Sequence, residues 1–419
     1  MERNKRGFGT RTIHGRGAKG AFMGATLPPI FQNAAHIHDT TESLSLAFAG
    51  KTSDPIYMRL SNPTNQALEG RLADLEEGKG AIVMASGMAA ISNACMALLR
   101  AGDEFVAGNS LFMSTYTLFS SIFKKYGITG RFVDPLDLSA IKGAITDKTR
   151  FIYVETIGNP RMDVPDLKLI AAIAHDNGLP LLVDNTLATP YLCQPITLGA
   201  DVVIHSTTKY LSGHGNALGG VVVDGGTFPW PEKRFPDLKP YIDRKGDLAY
   251  LDKLFREHHV NFGATLSPFH SYLTLIGLDT LAVRMERHLE NALAVARFLK
   301  TRPQVQWVNY SGLEDHVSHG TARRQFEGKG YGALITFGLE NEAASLRFID
   351  SLELIRHLAN LGDCKSLVIH PYSTQYLSFE ERLKAELSIF PEMVRLSVGI
   401  ESKEDIFDDL ERGLLASAS

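Results

Sequence analysis

A single lysine, Lys209, stands in the stretch HSTTKYLSGHGNALGG (205–220), flanked by Ser206, Thr207, Thr208 and Tyr210. It follows the apolar run VVIHS (202–206) and precedes a glycine-rich turn. A lysine at the end of a buried strand is partly desolvated. Burial and a cationic neighbour both lower an amine's pKa and free it for nucleophilic attack on a carbonyl. The adjoining hydroxyls suit phosphate oxygens. Other apolar runs also end in chemistry-bearing groups. Asp184 closes LPLLVDN (179–185), where a carboxylate either forms a turn or, if buried, keeps a ring nitrogen protonated. Ser86, Gly87 and Met88 follow AIVMA and open a helix. Such a helix start is either a tight connection or an anion site lined by free amides. Glu155 and Asn159 follow FIYV, where turn chemistry is the default reading.

These groups need a scaffold that brings strand ends together. Short apolar runs at 81–86, 104–109, 151–156, 179–185, 202–206 and 219–225 alternate with amphipathic stretches such as PDLKLIAAIAHDNG (165–178). That alternation predicts an α/β fold with a mostly parallel sheet, whose ligands sit beyond the carboxyl ends of the strands. Asn62 and Pro63 predict the N-cap and first turn of a helix. Leu278, Leu281, Met285, Leu289, Ala292, Val295 and Leu299 recur at three- and four-residue steps and predict a long helix leading into a smaller α+β domain. The expected organisation is an N-terminal arm (1–60), a large domain (61–264) and a smaller C-terminal domain (265–419). Residues 226–264 read as an insertion.

The bulk composition narrows the class. The 419 residues carry 43 Lys and Arg against 47 Asp and Glu, a net charge of −4. This gives no reason to expect nucleic acid or an acidic membrane surface as partner. Three separated cysteines argue against a disulfide framework and fit a reducing, cytoplasmic compartment. The basic start MERNKRGFGT has no apolar run behind it, so no secretory signal is expected. GRGAKG (15–20) matches G-x-G-x-x-G but follows no predicted strand, so it fails as a dinucleotide site. His36 with His38, and His258 with His259, lack further ligands at metal spacing, and no metal is expected.

An amine nucleophile, a carboxylate for a ring nitrogen and phosphate anchors are together what pyridoxal phosphate requires. The chain also resembles the Cys/Met-metabolism family of pyridoxal-phosphate enzymes. The resemblance is carried by YMRLSNPT (57–64), ASGMAA (85–90), ETIGNP (155–160), VDNTLATPYL (183–192), HSTTKYLSGHG (205–215) and VRLSVGIE (394–401). It implies fold type I, a homo-oligomer, usually a tetramer, and roles at the matching positions. Lys209 would form the Schiff base and Asp184 would pair with the pyridinium. The Gly87 and Met88 amides, with Ser206 and Thr208, would hold the phosphate. Tyr57 and Arg59 would reach the phosphate of a neighbouring subunit. Arg395 would clamp the substrate α-carboxylate, with Asn159 beside it, and Ser366 would lie near Lys209.

Two stretches depart from the family pattern. Phe112 stands where members usually carry a ring-stacking Tyr; it can stack but supplies no hydroxyl, unless Tyr116 or another residue does. HPYSTQY (370–376) replaces the usual HPASTTH. The GHGNALGG turn and NLGDCKSLVIHP are similar to the O-acetylhomoserine sulfhydrylase branch. The implied reaction is γ-replacement on O-acetylhomoserine by sulfide, a thiol or a thiocarboxylated carrier protein, giving homocysteine. Cystathionine γ-synthase or γ-lyase chemistry, and an inactive cofactor-binding homologue, are the alternatives.

Overall fold

The computed structural model describes residues 6–15 and 21–418, so most of the GRGAKG stretch lies outside the described residues. A seven-stranded sheet is built from β1 (Gly80–Met84), β2 (Glu104–Gly108), β3 (Thr129–Val133), β4 (Thr149–Glu155), β5 (Leu181–Asp184), β6 (Val202–Ser206) and β7 (Gly220–Asp224). Their spatial order is β1-β7-β6-β5-β4-β2-β3. Of the seven, β7 alone runs against the rest, pairing antiparallel with both β1 and β6. The carboxyl ends of β1, β2, β4, β5 and β6 therefore open on one edge.

The continuous apolar runs follow from burial on both faces. Val203, Val221 and Val223 face one core with Leu181 and Val183, while Val202, Ile204, Val222 and Leu182 face the other. All six predicted runs are strands. The seventh, β3, was not foreseen: TGRFV lies at the sheet edge, is only partly covered and lacks an apolar run.

Helix starts follow their sequence signals. Asn62 Oδ1 accepts from the Thr64 and Asn65 amides at 3.0 and 3.3 Å, capping the helix Pro63–Leu75. The amphipathic helix Leu167–Asp176 buries Leu167, Ile170, Ala171 and Ala174. The predicted long helix is two, Pro268–Asp279 and Leu281–Lys300, broken at Thr280. The stretch read as an insertion is a helical cover: Tyr250 stacks on Trp230, and its hydroxyl donates to the Ala94 carbonyl at 3.0 Å. The region read as an irregular arm contains helices, Phe8–His14 and Thr41–Phe48, and buried Arg11 pairs with Asp74.

A second sheet follows, ordered β10-β11-β12-β9-β8, from β8 (Trp307–Asn309), β9 (Leu334–Gly338), β10 (Arg356–His357), β11 (Leu367–Ile369) and β12 (Met393–Ser397). It is antiparallel except for the β10–β11 pair. The architecture is thus a mostly parallel α/β sheet with a separate smaller α+β part. No helix among the described residues is long and apolar enough to cross a membrane.

Candidate functional site

A single cavity gathers the strand-end groups. Gly87 and Met88 come from the turn after β1, Phe112 from beyond β2, Asn159 from beyond β4 and Asp184 from the end of β5. Ser206, Thr208 and Lys209 come from the end of β6 and beyond. Arg395, on β12, joins from the second sheet, so residues of both sheets line the cavity.

At one end the helix Gly87–Met96 points its first turn into the cavity. Ser86 accepts from the Ala89 amide through its side chain at 3.1 Å and from the Ala90 amide through its carbonyl. The Gly87 and Met88 amides keep no intrahelical partner. Glycine is required there by close approach: a Cβ on Gly87 would sit 2.6 Å from the Cβ of Ser206. The Ser206 hydroxyl has no partner among the described residues, whereas that of Thr208 donates to the Gly219 carbonyl at 3.2 Å. Two free amides and the Ser206 hydroxyl, with Thr208 alongside, form an anion cradle at a helix N-terminus.

Asp184 is buried. Its Oδ1 accepts from the Thr186 amide at 3.0 Å, and Tyr153 Oη donates to its Oδ2 at 3.4 Å. Burial pushes its pKa up, against the opposing effects of Thr186 and His205. Glu155 is its register partner on β4 and is pushed well above the usual carboxylate range, first by burial and then by the charge of Asp184. It fixes the backbone of Phe112, whose amide donates to Glu155 Oε1 at 2.6 Å.

Lys209 Nζ donates to Asn360 Oδ1 at 2.6 Å, and its pKa is pushed down to about 8, first by burial and then by the positive charge of Arg395. Arg395 is itself buried, which lowers its pKa to about 10. It donates to Asn159 Oδ1 at 3.3 Å, and no carboxylate among the described residues lies within ion-pair distance of it. A buried guanidinium without an anion is unstable by itself and is suited to an anionic ligand.

Four residues singled out from the sequence lie outside this cavity, Tyr57 and Arg59 among them as expected of groups that serve a second copy. Ser366 is not at Lys209: its hydroxyl donates to Glu401 Oε2 at 2.9 Å and accepts from the Gly399 amide at 2.9 Å. The small-domain side chain that meets Lys209 is Asn360, six residues earlier in a loop whose sequence shows no periodicity. Tyr57 and Arg59 also lie elsewhere in the chain. Arg59 donates to the Val260 carbonyl at 2.8 Å and lines another groove, and its guanidinium sits 5.5 Å from the Tyr57 ring. Tyr116 packs on Phe132 and Phe379 and is not among the residues that line the cavity. Sequence reasoning left Glu155 as turn chemistry. The signal that could have found it is its place at a strand end beside the one closed by Asp184.

The residues fit pyridoxal phosphate. The anion cradle matches its phosphate, a cationic ring nitrogen would offset the upward push of burial on Asp184, and Lys209 presents an amine of lowered pKa. Comparison with known proteins agrees. The family model of Cys/Met metabolism PLP-dependent enzymes matches residues 9–415. An O-acetyl-L-homoserine sulfhydrylase of Leptospira meyeri is 39% identical, over 92% of this chain and 91% of its own length. O-acetyl-L-homoserine sulfhydrylase 1 of Thermus thermophilus is 42% identical, over 92% of this chain and 94% of its own. A Campylobacter jejuni protein solved with an N'-pyridoxyl-lysine-5'-monophosphate superposes with a TM-score of 0.94 at 32% identity, covering 98% of this chain and 100% of that one. On the family match and these identities, the chain belongs to the Cys/Met-metabolism family of pyridoxal-phosphate-dependent enzymes.

Proposed function

We propose that this enzyme carries out γ-replacement on O-acetyl-L-homoserine with a sulfur nucleophile, releasing L-homocysteine and acetate. The observation that carries the reading is the buried Arg395, without a carboxylate partner among the described residues, in one cavity with a lysine of lowered pKa. The names of the sulfhydrylase relatives support the substrate. Pyridoxal phosphate, when bound, supplies an electron sink that makes the Cα proton of a linked amino acid removable.

The chain's residues do the rest. Lys209 is the covalent tether. Once displaced by the substrate amine, its Nζ takes the proton from Cα and moves a proton at Cβ. Arg395, steadied by Asn159, fixes the substrate carboxylate. Asp184 keeps the ring nitrogen protonated. The Gly87 and Met88 amides with Ser206 and Thr208 would hold the phosphate, and Phe112 would offer its ring face to the cofactor. The net exchange breaks the Cγ–O bond, with its electron pair leaving on acetate, and forms a Cγ–S bond.

Several coarser features belong to the same proposal. Tyr57 and Arg59 act on the cofactor phosphate of a second copy, and the assembly is a homotetramer. Residues 61–264 and 265–419 are the large and small domains behind an arm, and the enzyme works in the cytoplasm, which suits three unpaired cysteines. The test is the product formed from O-acetyl-L-homoserine with sulfide, with cysteine or with neither. Homocysteine with sulfide is expected. Cystathionine as the main product, or 2-oxobutyrate regardless of nucleophile, would replace this reading with a synthase or lyase. Lys209→Ala should lose both turnover and the visible absorbance of the bound cofactor.

A further inference from the structure

Three carboxamides line the cavity, and two are engaged. Asn159 holds Arg395 and Asn360 holds Lys209. The third, Gln375, has its Oε1 buried without a partner, and no hydrogen bond from its Nε2 is found among the described residues. The segment that carries it is fixed on either side of it. His370 Nε2 meets the Pro391 carbonyl at 2.7 Å, and the Tyr376 amide donates to the Pro371 carbonyl at 3.0 Å. The Tyr376 ring is buried beside Phe379, Leu387 and Ile389. Gln375 thus brings an uncommitted carboxamide to the cavity wall, and its Nε2, with no partner among the described residues, is the donor that a ligand oxygen can use.

Charge decides which part of a ligand it meets. Lys209 and Arg395 are the cationic side chains among the described lining residues. On the γ-replacement reading, on which this inference rests, both are committed, to the Cα proton and to the α-carboxylate. That leaves Gln375 as the uncommitted carboxamide of the wall for the acyl end. When the Cγ–O bond breaks, the electron pair goes to the acyl oxygens, and an amide N–H can follow that charge without giving up its proton. We propose that Gln375 is the specificity-determining residue for the acyl group. Its amide accepts an uncharged acyl ester and discriminates against acyl groups that bring a second negative charge, such as a dicarboxylic half-ester or a phosphate.

The test measures kcat/KM for O-acetyl-, O-succinyl- and O-phospho-L-homoserine at saturating sulfide, in holoenzyme of wild type, Gln375→Leu and Gln375→Arg. Gln375→Leu should lower the acetyl value about ten-fold, the loss of one neutral hydrogen bond, and leave the sulfide KM within about two-fold. Gln375→Arg should raise the succinyl-to-acetyl ratio roughly ten-fold or more. Cofactor absorbance checks that each variant is loaded, and if Gln375→Arg does not load, Gln375→Leu decides through the acetyl arm. An unchanged ester ratio and acetyl value, or a raised sulfide KM instead, overturns the role of Gln375. Wild-type protein that turns over none of the three esters overturns the γ-replacement reading itself, a result distinct from either.

Discussion

Lys209 is nucleophilic because of where it is, and the sequence said as much: an amine at the end of an apolar run is desolvated before any partner is considered. The structure adds which effect dominates. Burial comes first and Arg395 second in holding its pKa near 8. Above that pKa the amine is free and reactive; below it the amine is protonated and inert. In cofactor-free enzyme, the rate of pyridoxal phosphate reloading should therefore rise with pH through a midpoint of about 8 and level off beyond it. Arg395→Gln removes only the second cause, so the midpoint should move up but stay below the ordinary lysine value of 10.5. A wild-type midpoint at the ordinary value would contradict the buried amine. Side chains met across the two sheets were less legible. Ser366 and Asn360 lie six residues apart in one irregular stretch, and only tertiary packing decides which one faces Lys209.

At the scale of elements, the parallel strands were legible because burial on both faces leaves continuous Val, Ile and Leu runs. Edge strand β3 was not, because one side lacks a neighbour and its residues are partly exposed. The helix Gly87–Met96 shows how an element makes a binding group. Its first turn approaches the end of β6 so closely that only glycine fits at position 87. Gly87→Ala should push that turn away from Ser206, costing about 1–3 kcal/mol of stability, as over-packing does. It should also weaken cofactor binding about ten-fold or more, the equivalent of ~1.4 kcal/mol. A cofactor titration followed by absorbance, beside a denaturant melt, checks both. Unchanged affinity would show that these amides do not hold the phosphate.

At the scale of the whole molecule, the cavity is assembled from both sheets, while Tyr57 and Arg59 lie outside it in their own chain. If they serve a second copy, two inactive variants should complement each other. Lys209→Ala and Arg59→Ala subunits, unfolded together and refolded as a mixture, should regain roughly a quarter of wild-type sites, because each mixed dimer rebuilds one intact site. No recovery would place Arg59 outside the active site. The central claim is that this cavity exchanges an acyl group for sulfur at Cγ. Its most direct test is the product balance when the holoenzyme is given O-acetyl-L-homoserine and sulfide. The account predicts homocysteine and acetate in equal amounts, dependent on sulfide and abolished in Lys209→Ala. Acetate released with 2-oxobutyrate whether or not sulfide is present, or homocysteine still formed by Lys209→Ala, would contradict it.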